Sequence, residues 1–428
     1  MIFKKSLLVI AISGALLTAC SAPQNTQTSN TGSVVNQENT TDVVMSESEK
    51  ANQLFDSLFM AGVDRNPIRQ TYLGIKKDYD KWNDFSEENS AKELAIAKSD
   101  LEKIKTLNTS KLDPQTLISY QLYVQKLENS ISDHKWRFHN YPVNQMFGTH
   151  SQVPAFLINQ HSISNLKEAQ DYIARVRGAK KLMGQLVTQL KLREDLGIIA
   201  PKFVFEHVIR DSKNILVGAP FDEGKNSTIF ADFTKKINKI EFSEDEKSTL
   251  LTGIKTALTT DLKPGYEQLI SYLTELETKA DSRDGAWKFP EGEAFFNNAL
   301  QRTTTTDLTA NEIHNIGLSE VTRIHDEMRV IMKKVGFEGD LAAFFEFMRN
   351  DKQFYYAGDQ AGRQQYLDEA VALIDDMKGR LDSLFLTKPK AELKVKAVEA
   401  FREKSAGKAF YQQPAPDGSR PGVYYANL

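Results

Sequence analysis

The pattern of apolar and polar positions is helical along most of the chain. Asp113 precedes Pro114, a pairing typical of a helix N-cap followed by proline in the first turn. Apolar residues then recur at three- and four-residue spacing, at Leu117, Tyr120, Val124, Leu127 and Ile131. This spacing predicts an amphipathic helix.

Two further helices have clear starting signals. Asn165 with Glu168 begins one, which runs for about 45 Å at 1.5 Å per residue until Gly197 and Pro201 stop it. Thr309 and Glu312 form a capping box that begins the other. Its apolar stripe comprises Ile313, Gly317, Val321, Ile324, Met328 and Ile331. Similar helical patterns occur at 91–107, 264–279, 341–349 and 362–384.

The period changes near the end of the chain. Leu393, Val395 and Ala397 alternate with lysines, as in a strand with one solvent face. Residues 422–428 are β-prone in their Val and Tyr content and form a second candidate strand. We therefore predict a mainly α fold, in which one large helical domain over 49–428 carries a small β-sheet near its C-terminus.

The first twenty residues resemble a bacterial lipoprotein signal. Lys4 and Lys5 precede an apolar run over 7–17, and small residues lead to Cys20. The run falls short of the ~18 residues that span a bilayer as a helix, so we expect cleavage and a diacylglycerol on Cys20. A chance cysteine behind a plain secretory signal or a short anchor is the alternative.

Residues 21–48 are rich in Ser, Thr, Asn and Gln, and this composition predicts a polar disordered tether. The expected location is the cell envelope, with the membrane as partner through the lipid on Cys20. Ser21 after the cysteine resembles lipoproteins that reach the outer membrane and face the periplasm. The net charge of -3 with both signs interspersed provides no basic face, so we expect no nucleic-acid partner.

Familiar catalytic motifs are incomplete or missing in the sequence. Cys20 is the only cysteine, so the folded part has no disulfide and no thiolate metal ligand. The segment 218–226 is a near miss to a phosphate-binding loop, and Ser405 with Lys408 matches Ser-x-x-Lys without its partner motifs. His314 and His325 are about 16 Å apart on one helix, too far to share a zinc ion. The motif His-Glu-x-x-His does not occur.

Four stretches together resemble the bacterial domain-of-unknown-function 885 family. They are QVPAFLINQHSI (152–163), TTTTDLTANEIHNIGLSEVTRIHDEM (303–328), VGFEGDLAAFFEFMRNDKQFYY (335–356) and EAFREKSAGKAFYQQPAPDGSRPGVYYANL (399–428). The resemblance implies a zinc metallopeptidase of the gluzincin kind with a carboxypeptidase-like helical fold. The family's metal motif, His-Glu-x-x-Pro-Gly-His-His, lies downstream of the segment that matches 422–428. Zinc is therefore expected for a complete family member, whereas the present chain offers no catalytic residue and no metal ligand.

The resemblance also implies supporting roles for residues near the chain end. Arg402, Arg420, Tyr424 and Tyr425 are suited to holding an oxyanion or a substrate carboxylate, and strand 422–428 is expected at a cleft edge where an extended peptide could pair. Alternatively, the two tyrosines pack on either side of a terminal strand and Arg420 bonds carbonyls of the turn. With its missing segment, that strand is also expected to be poorly paired.

Two functional hypotheses follow. In the first, the chain is the N-terminal and central part of a lipid-anchored envelope zinc peptidase, inactive as given, with a peptide as substrate. In the second, it is a lipid-anchored protein that binds peptides or envelope partners without chemistry.

Overall fold

The computed structural model describes residues 45–416 and 418–428. Cys20, the apolar run before it and nearly all of the predicted tether lie outside the described residues. The helices are α1 (Glu47–Asp64), α2 (Pro67–Tyr72), α3 (Glu87–Lys105), α4 (Pro114–Asp133), α5 (Thr149–Asn159), α6 (Leu166–Asp195), α7 (Lys202–Ile215), α8 (Thr228–Ile237), α9 (Glu244–Ala257), α10 (Lys263–Glu277), α11 (Gly292–Thr304), α12 (Ala310–Lys334), α13 (Leu341–Asn350) and α14 (Gln360–Lys378). The strands are β1 (Leu393–Ala397), β2 (Ala409–Gln412) and β3 (Gly422–Ala426). The helices of this part of the chain include none that is long and apolar enough to cross a membrane.

The helix predicted from Asn165 forms the centre of the molecule. The Asn165 side chain accepts a hydrogen bond from the backbone N–H of Glu168 at 3.0 Å, and α6 then runs to Asp195. Fourteen of its 30 residues are buried. Helices α5, α9 and α10 pack directly against it and α7 and α8 complete the surrounding shell, so the main apolar core lies around α6.

The helix predicted from Asp113 is also confirmed. Its carboxylate accepts a hydrogen bond from the Thr116 N–H at 2.9 Å, and α4 follows. Helices α1, α3 and α4 form a second, smaller cluster around Leu58, Leu101 and Ile104. The patterns at 91–107, 264–279 and 341–349 correspond to α3, α10 and α13. The pattern at 362–384 ends early, because α14 stops at Lys378 before Gly379.

The capping box at Thr309 begins α12, as predicted. The Thr309 side chain accepts from the Glu312 N–H at 3.3 Å, and the Glu312 carboxylate accepts from the Thr309 N–H at 2.8 Å. The apolar stripe of this helix lies outside any core, however. Met332 is the single buried residue of α12.

The three strands form one sheet in the order β1-β3-β2. β3 is parallel to β1 and antiparallel to β2, with Lys396 and Phe410 on either side of Tyr425. The prediction of a poorly paired strand at 422–428 was wrong, because β1 and β2 both hydrogen-bond to it. For the same reason a peptide cannot add to this strand. The sequence pattern did not predict β2, a strand of four residues between the turn-forming Gly407 and Pro414.

Candidate functional site

Alternation along β3 separates the two tyrosines that the sequence singles out. Tyr425 is 2% exposed and belongs to an apolar cluster with Val398 and Val423. Tyr424 occupies the opposite face of the strand, where burial, with the Tyr366 phenol of α14 nearby, raises its pKa. The structure therefore places Tyr425, but not Tyr424, on the face that carries the residues described next.

The Tyr425 side chain is held by stacking and presents an unbonded hydroxyl. Its ring lies on Phe410 with centroids 4.9 Å apart and an interplanar angle of 17°. Among the described residues the buried hydroxyl has no hydrogen-bond partner. Burial and the Glu399 carboxylate raise the pKa of Tyr425, while the Arg402 and Arg420 cations oppose them. The phenol therefore stays protonated at neutral pH, and a buried unbonded donor is a feature that a ligand could satisfy.

Glu399 and Arg402 form an ion pair on the segment between β1 and β2. Arg402 Nε and Nη2 lie 2.7 and 2.6 Å from Glu399 Oε2, and Asn159 at the end of α5 donates from Nδ2 to Glu399 Oε1. The side chains of Arg402 and Glu399 are 17% and 10% exposed. The Arg402 guanidinium also lies 5.2 Å from the centre of the Phe410 ring. Arg402 is therefore fixed beside the ring that stacks on Tyr425.

Arg420 joins this cluster from the segment before β3. Its Nη2 donates to the backbone carbonyl of Tyr72 at 3.3 Å, and its guanidinium carbon lies 5.9 Å from the centre of the Tyr72 ring. Burial raises the pKa of Tyr72, and the nearby Arg420 and Arg402 cations oppose this effect. Both cations therefore act on both Tyr72 and Tyr425, which places the four side chains in one neighbourhood.

A buried cation under Tyr72 supports this corner of the site. Arg175 of α6 is fully buried, and its Nη2 donates to Thr71 Oγ1 at 2.7 Å. Its Nη1 lies 3.0 Å from His161 Nδ1, and its Nε donates to the Lys81 carbonyl at 3.1 Å. Burial and the Arg175 cation lower the pKa of His161 to about 2, so the imidazole is neutral and accepts this hydrogen bond.

Buried polar contacts also position the Glu399 side of the site. Lys236 of α8 donates to the carbonyls of Leu157 and Ile158 at 2.8 and 2.9 Å, which satisfies the last turn of α5 next to Asn159. The Ser405 hydroxyl donates to the Asp211 carboxylate of α7 and fixes the segment after Arg402. The site residues thus rest on α5, α7 and α8 of the main core.

The cluster carries two cations, one carboxylate and one unbonded phenol donor. Arg402 and Arg420 bring two guanidinium groups to the surroundings of Tyr425, beside the Glu399 carboxylate. Guanidinium groups are suited to bidentate recognition of carboxylates. The arrangement can therefore bind and orient a carboxylate-bearing ligand, and it includes no nucleophile with an adjacent base.

The other motifs of the sequence have structural explanations. In the 218–226 loop the Asp222 carboxylate accepts from the N–H groups of Gly218 and Gly224 at 2.9 and 2.7 Å, so the loop's own acid takes up amide donors that a phosphate would need. Lys408 is exposed while the Ser405 hydroxyl bonds Asp211, so these two residues do not form a Ser–Lys pair. Within residues 45–416 and 418–428, no three His, Cys, Asp or Glu side chains could share a metal ion.

Sequence reasoning missed three residues of the cluster, Tyr72, Asn159 and Glu399. Asn159 lies within 152–163 and Glu399 begins 399–428, two of the stretches that carry the family resemblance. Nothing in the sequence around either residue indicates that the two side chains form a hydrogen bond, because they are 240 residues apart in the chain. Tyr72 has no comparable signal in the sequence.

Comparison with known proteins places this chain in one family. The family model described as "Bacterial protein of unknown function (DUF885)" matches residues 67–428. The chain belongs to the DUF885 family. All the residues of the cluster around Glu399 lie within the matched part of this DUF885 protein. Among curated proteins, none matches the chain.

Two solved structures share the fold of this DUF885 protein. A Colwellia psychrerythraea protein assigned as a lipoprotein is 23% identical with a TM-score of 0.79, and the match covers 90% of this chain and 68% of that chain. A Shewanella oneidensis protein, assigned as a lipoprotein of unknown function, is 16% identical with a TM-score of 0.52, and the match covers 90% of this chain and 65% of that chain. At these identities the likeness shows the fold alone. About a third of each relative has no counterpart in the present chain.

Proposed function

We propose that this chain is the peptide-holding part of a lipid-anchored envelope protein of the metallopeptidase type. The convergence of Arg402, Arg420 and the unbonded Tyr425 hydroxyl beside Glu399 carries this proposal. The lipoprotein-like residues 1–20 support the envelope location, and the Colwellia protein of the same fold is itself assigned as a lipoprotein.

The group recognised is the C-terminal carboxylate of a peptide. We assign the primary contact to Arg420, whose Nη2 also donates to the Tyr72 carbonyl, and a supporting role to Arg402, which binds Glu399 through two of its nitrogens. Arg402 and Glu399 keep the neighbouring surface polar and fix the Phe410 and Tyr425 rings. The Tyr425 hydroxyl donates to the carboxylate or to the adjacent peptide carbonyl. Tyr424 remains a candidate for a contact on the other face of the sheet.

Zinc is the cofactor that the family resemblance implies, and the described residues do not fit it. They bring no three ligand-type side chains together, and the sequence has no His-Glu-x-x-His motif. We therefore assign no hydrolytic step to these residues and propose that they bind and orient the peptide. The alternative hypothesis, a binding protein without chemistry, uses the same site.

Calorimetric titration of the polypeptide 21–428 with short peptides tests this proposal. Each peptide is used with a free C-terminal carboxylate and in amidated form, and an N-acetylated version serves as control. A charge-assisted hydrogen bond contributes about 1.5–3 kcal/mol, so the free acid should bind roughly ten- to a hundredfold more tightly than the amide. Acetylation should change little. Equal binding of acid and amide, or no binding of either, would contradict the proposal.

A further inference from the structure

A polar cleft of about 520 Å³ lies between helices α1, α2 and α3 on one side and the long helix α6 on the other. Its walls come from the junction of α1 with α2, the start of α3, the segment after α4 and one side of α6. Of the described residues that line it, none belongs to the cluster around Glu399. Its volume is in the range of small-molecule sites, so the cleft is a candidate site that the proposed function does not use.

The arginines of the cleft already have partners. Arg65 donates to Glu93 from two nitrogens, at 2.8 and 3.2 Å, and Arg137 Nε donates to Glu87 at 3.0 Å. The third, Arg193, is 6% exposed and donates to the amide side chains and backbone carbonyls around it. A charged ligand would have to compete with these contacts. The lining therefore favours an uncharged polar ligand.

Three asparagines line the cleft in orientations that the surrounding hydrogen bonds fix. Asn66 Oδ1 accepts from a backbone N–H of α2 at 2.8 Å, and Asn140 Oδ1 accepts from Arg193 Nη2 at 2.7 Å. Asn89 Nδ2 donates to the Asp84 carbonyl at 2.9 Å. The opposite atom of each amide bonds no other described residue, which leaves two Nδ2 donors and one Oδ1 acceptor for a ligand.

A hydroxyl and an aromatic ring complete the lining. Ser90, in the first turns of α3, has a hydroxyl that forms no hydrogen bond with the described part of the chain, so it can both donate and accept. The Phe85 side chain is 41% exposed in the same cleft. The cleft thus combines fixed amide groups, a free hydroxyl and an exposed apolar ring.

We propose that this cleft binds an uncharged saccharide. Each hydroxyl group of a sugar both donates and accepts, so one group can satisfy neighbouring amide donors and acceptors. The C–H face of a pyranose ring is apolar and packs on an aromatic ring such as Phe85. A peptide main chain instead carries its donors and acceptors on separate atoms and has no apolar ring face. Because the asparagines are already oriented, binding requires little ordering of the site.

The experiment titrates three trisaccharides into the polypeptide 21–428 by calorimetry: maltotriose, cellotriose and N-acetylchitotriose. N-acetyl-trialanine amide serves as an uncharged peptide for comparison. Phe85→Ala and Ser90→Ala change the cleft, and Phe203→Ala and Ser319→Ala are matched controls at exposed positions on α7 and α12. Ser90→Ala removes no hydrogen bond within the described part of the protein, so its circular dichroism spectrum should match that of the original chain.

The expected result is one-to-one binding of at least one trisaccharide. Phe85→Ala should weaken it at least tenfold, because the ring face loses its apolar contact, and Ser90→Ala should weaken it roughly three- to tenfold through one lost hydrogen bond. Both controls should bind like the original chain. Lack of binding by all three sugars, or equal binding by Phe85→Ala, would overturn the proposal. Binding of the peptide amide alone, weakened by Phe85→Ala, would assign the cleft to a peptide instead.

Discussion

Arg175 provides the sharpest test of how the site is supported, through the substitution Arg175→Met. The guanidinium is fully buried in α6 and bonds Lys81 O, His161 Nδ1 and Thr71 Oγ1. Methionine retains much of the volume and removes all three hydrogen bonds. Thr71 keeps a partner, because its hydroxyl also donates to the Pro67 carbonyl at 3.1 Å, whereas the Lys81 carbonyl and His161 Nδ1 lose theirs.

Each buried acceptor left unpaired costs roughly 1–3 kcal/mol. The guanidinium also lies 4.9 Å from the ring centres of both Tyr79 and Phe156, and such contacts contribute roughly 1–2 kcal/mol when desolvated. Relief of the cost of burying a cation opposes these losses. We therefore expect Arg175→Met to lower the free energy of unfolding by about 3–5 kcal/mol.

Equilibrium urea unfolding followed by circular dichroism measures this change. Arg177→Met is the matched control, because Arg177 lies two residues away on α6 and is exposed, and it should shift the free energy of unfolding by less than about 0.5 kcal/mol. Arg175→Lys should fall between the two, since a lysine keeps the charge but cannot bond three acceptors in the same geometry. A stability of Arg175→Met within about 1 kcal/mol of the original chain would refute the reasoning.

Three further predictions concern acid stability, lipidation and metal content. Burial lowers the pKa of His150 to about 3 and that of His161 to about 2, whereas the pKa of an unfolded histidine is near 6.5, so unfolding takes up protons below pH 6.5. The free energy of unfolding should therefore fall by roughly 1 kcal/mol per pH unit for each histidine between pH 6.5 and 5. A free energy of unfolding in urea that stays constant over this pH range would contradict the presence of two neutral buried imidazoles. Cys20→Ser should abolish labelling by a palmitate analogue in cells, and labelling that persists would disprove the lipoprotein signal. Elemental analysis of the purified polypeptide 21–428 should find less than one zinc per chain, and one tightly held zinc would show that its histidines were misjudged.

Much of the helical architecture follows from local signals. The caps at Asp113, Asn165 and Thr309 place the starts of α4, α6 and α12 because a side-chain acceptor before an apolar-periodic stretch satisfies the free N–H groups of the first turn. Helix α5 has no such cap and contains Pro154, and no pattern indicates it. The end of α5 is held instead by Lys236, which donates a hydrogen bond to the Ile158 carbonyl from a position 78 residues further along the chain.

The candidate site was only half predictable. The charged and aromatic composition near the chain end indicates Arg402, Arg420 and Tyr425, but the pairing of β1 and β2 on both sides of β3 decides which tyrosine faces the cluster. A strand of four residues gives too short an alternation to be recognised. Glu399 and Asn159 meet because the segment that follows β1 lies against the end of α5, a contact between distant segments that local patterns do not encode.

The central claim, that the cluster around Glu399 recognises a peptide carboxylate, is tested most directly by combining peptide amidation with substitution of Arg420. The free acid and the amide of one peptide are titrated into the original chain, Arg420→Gln and Arg380→Gln, where Arg380 is an exposed arginine paired with Asp376 outside the site. Arg420→Gln should remove the preference for the acid, roughly tenfold or more, while leaving amide binding unchanged. Arg380→Gln should preserve that preference. A preference for the acid that survives in Arg420→Gln would contradict the account.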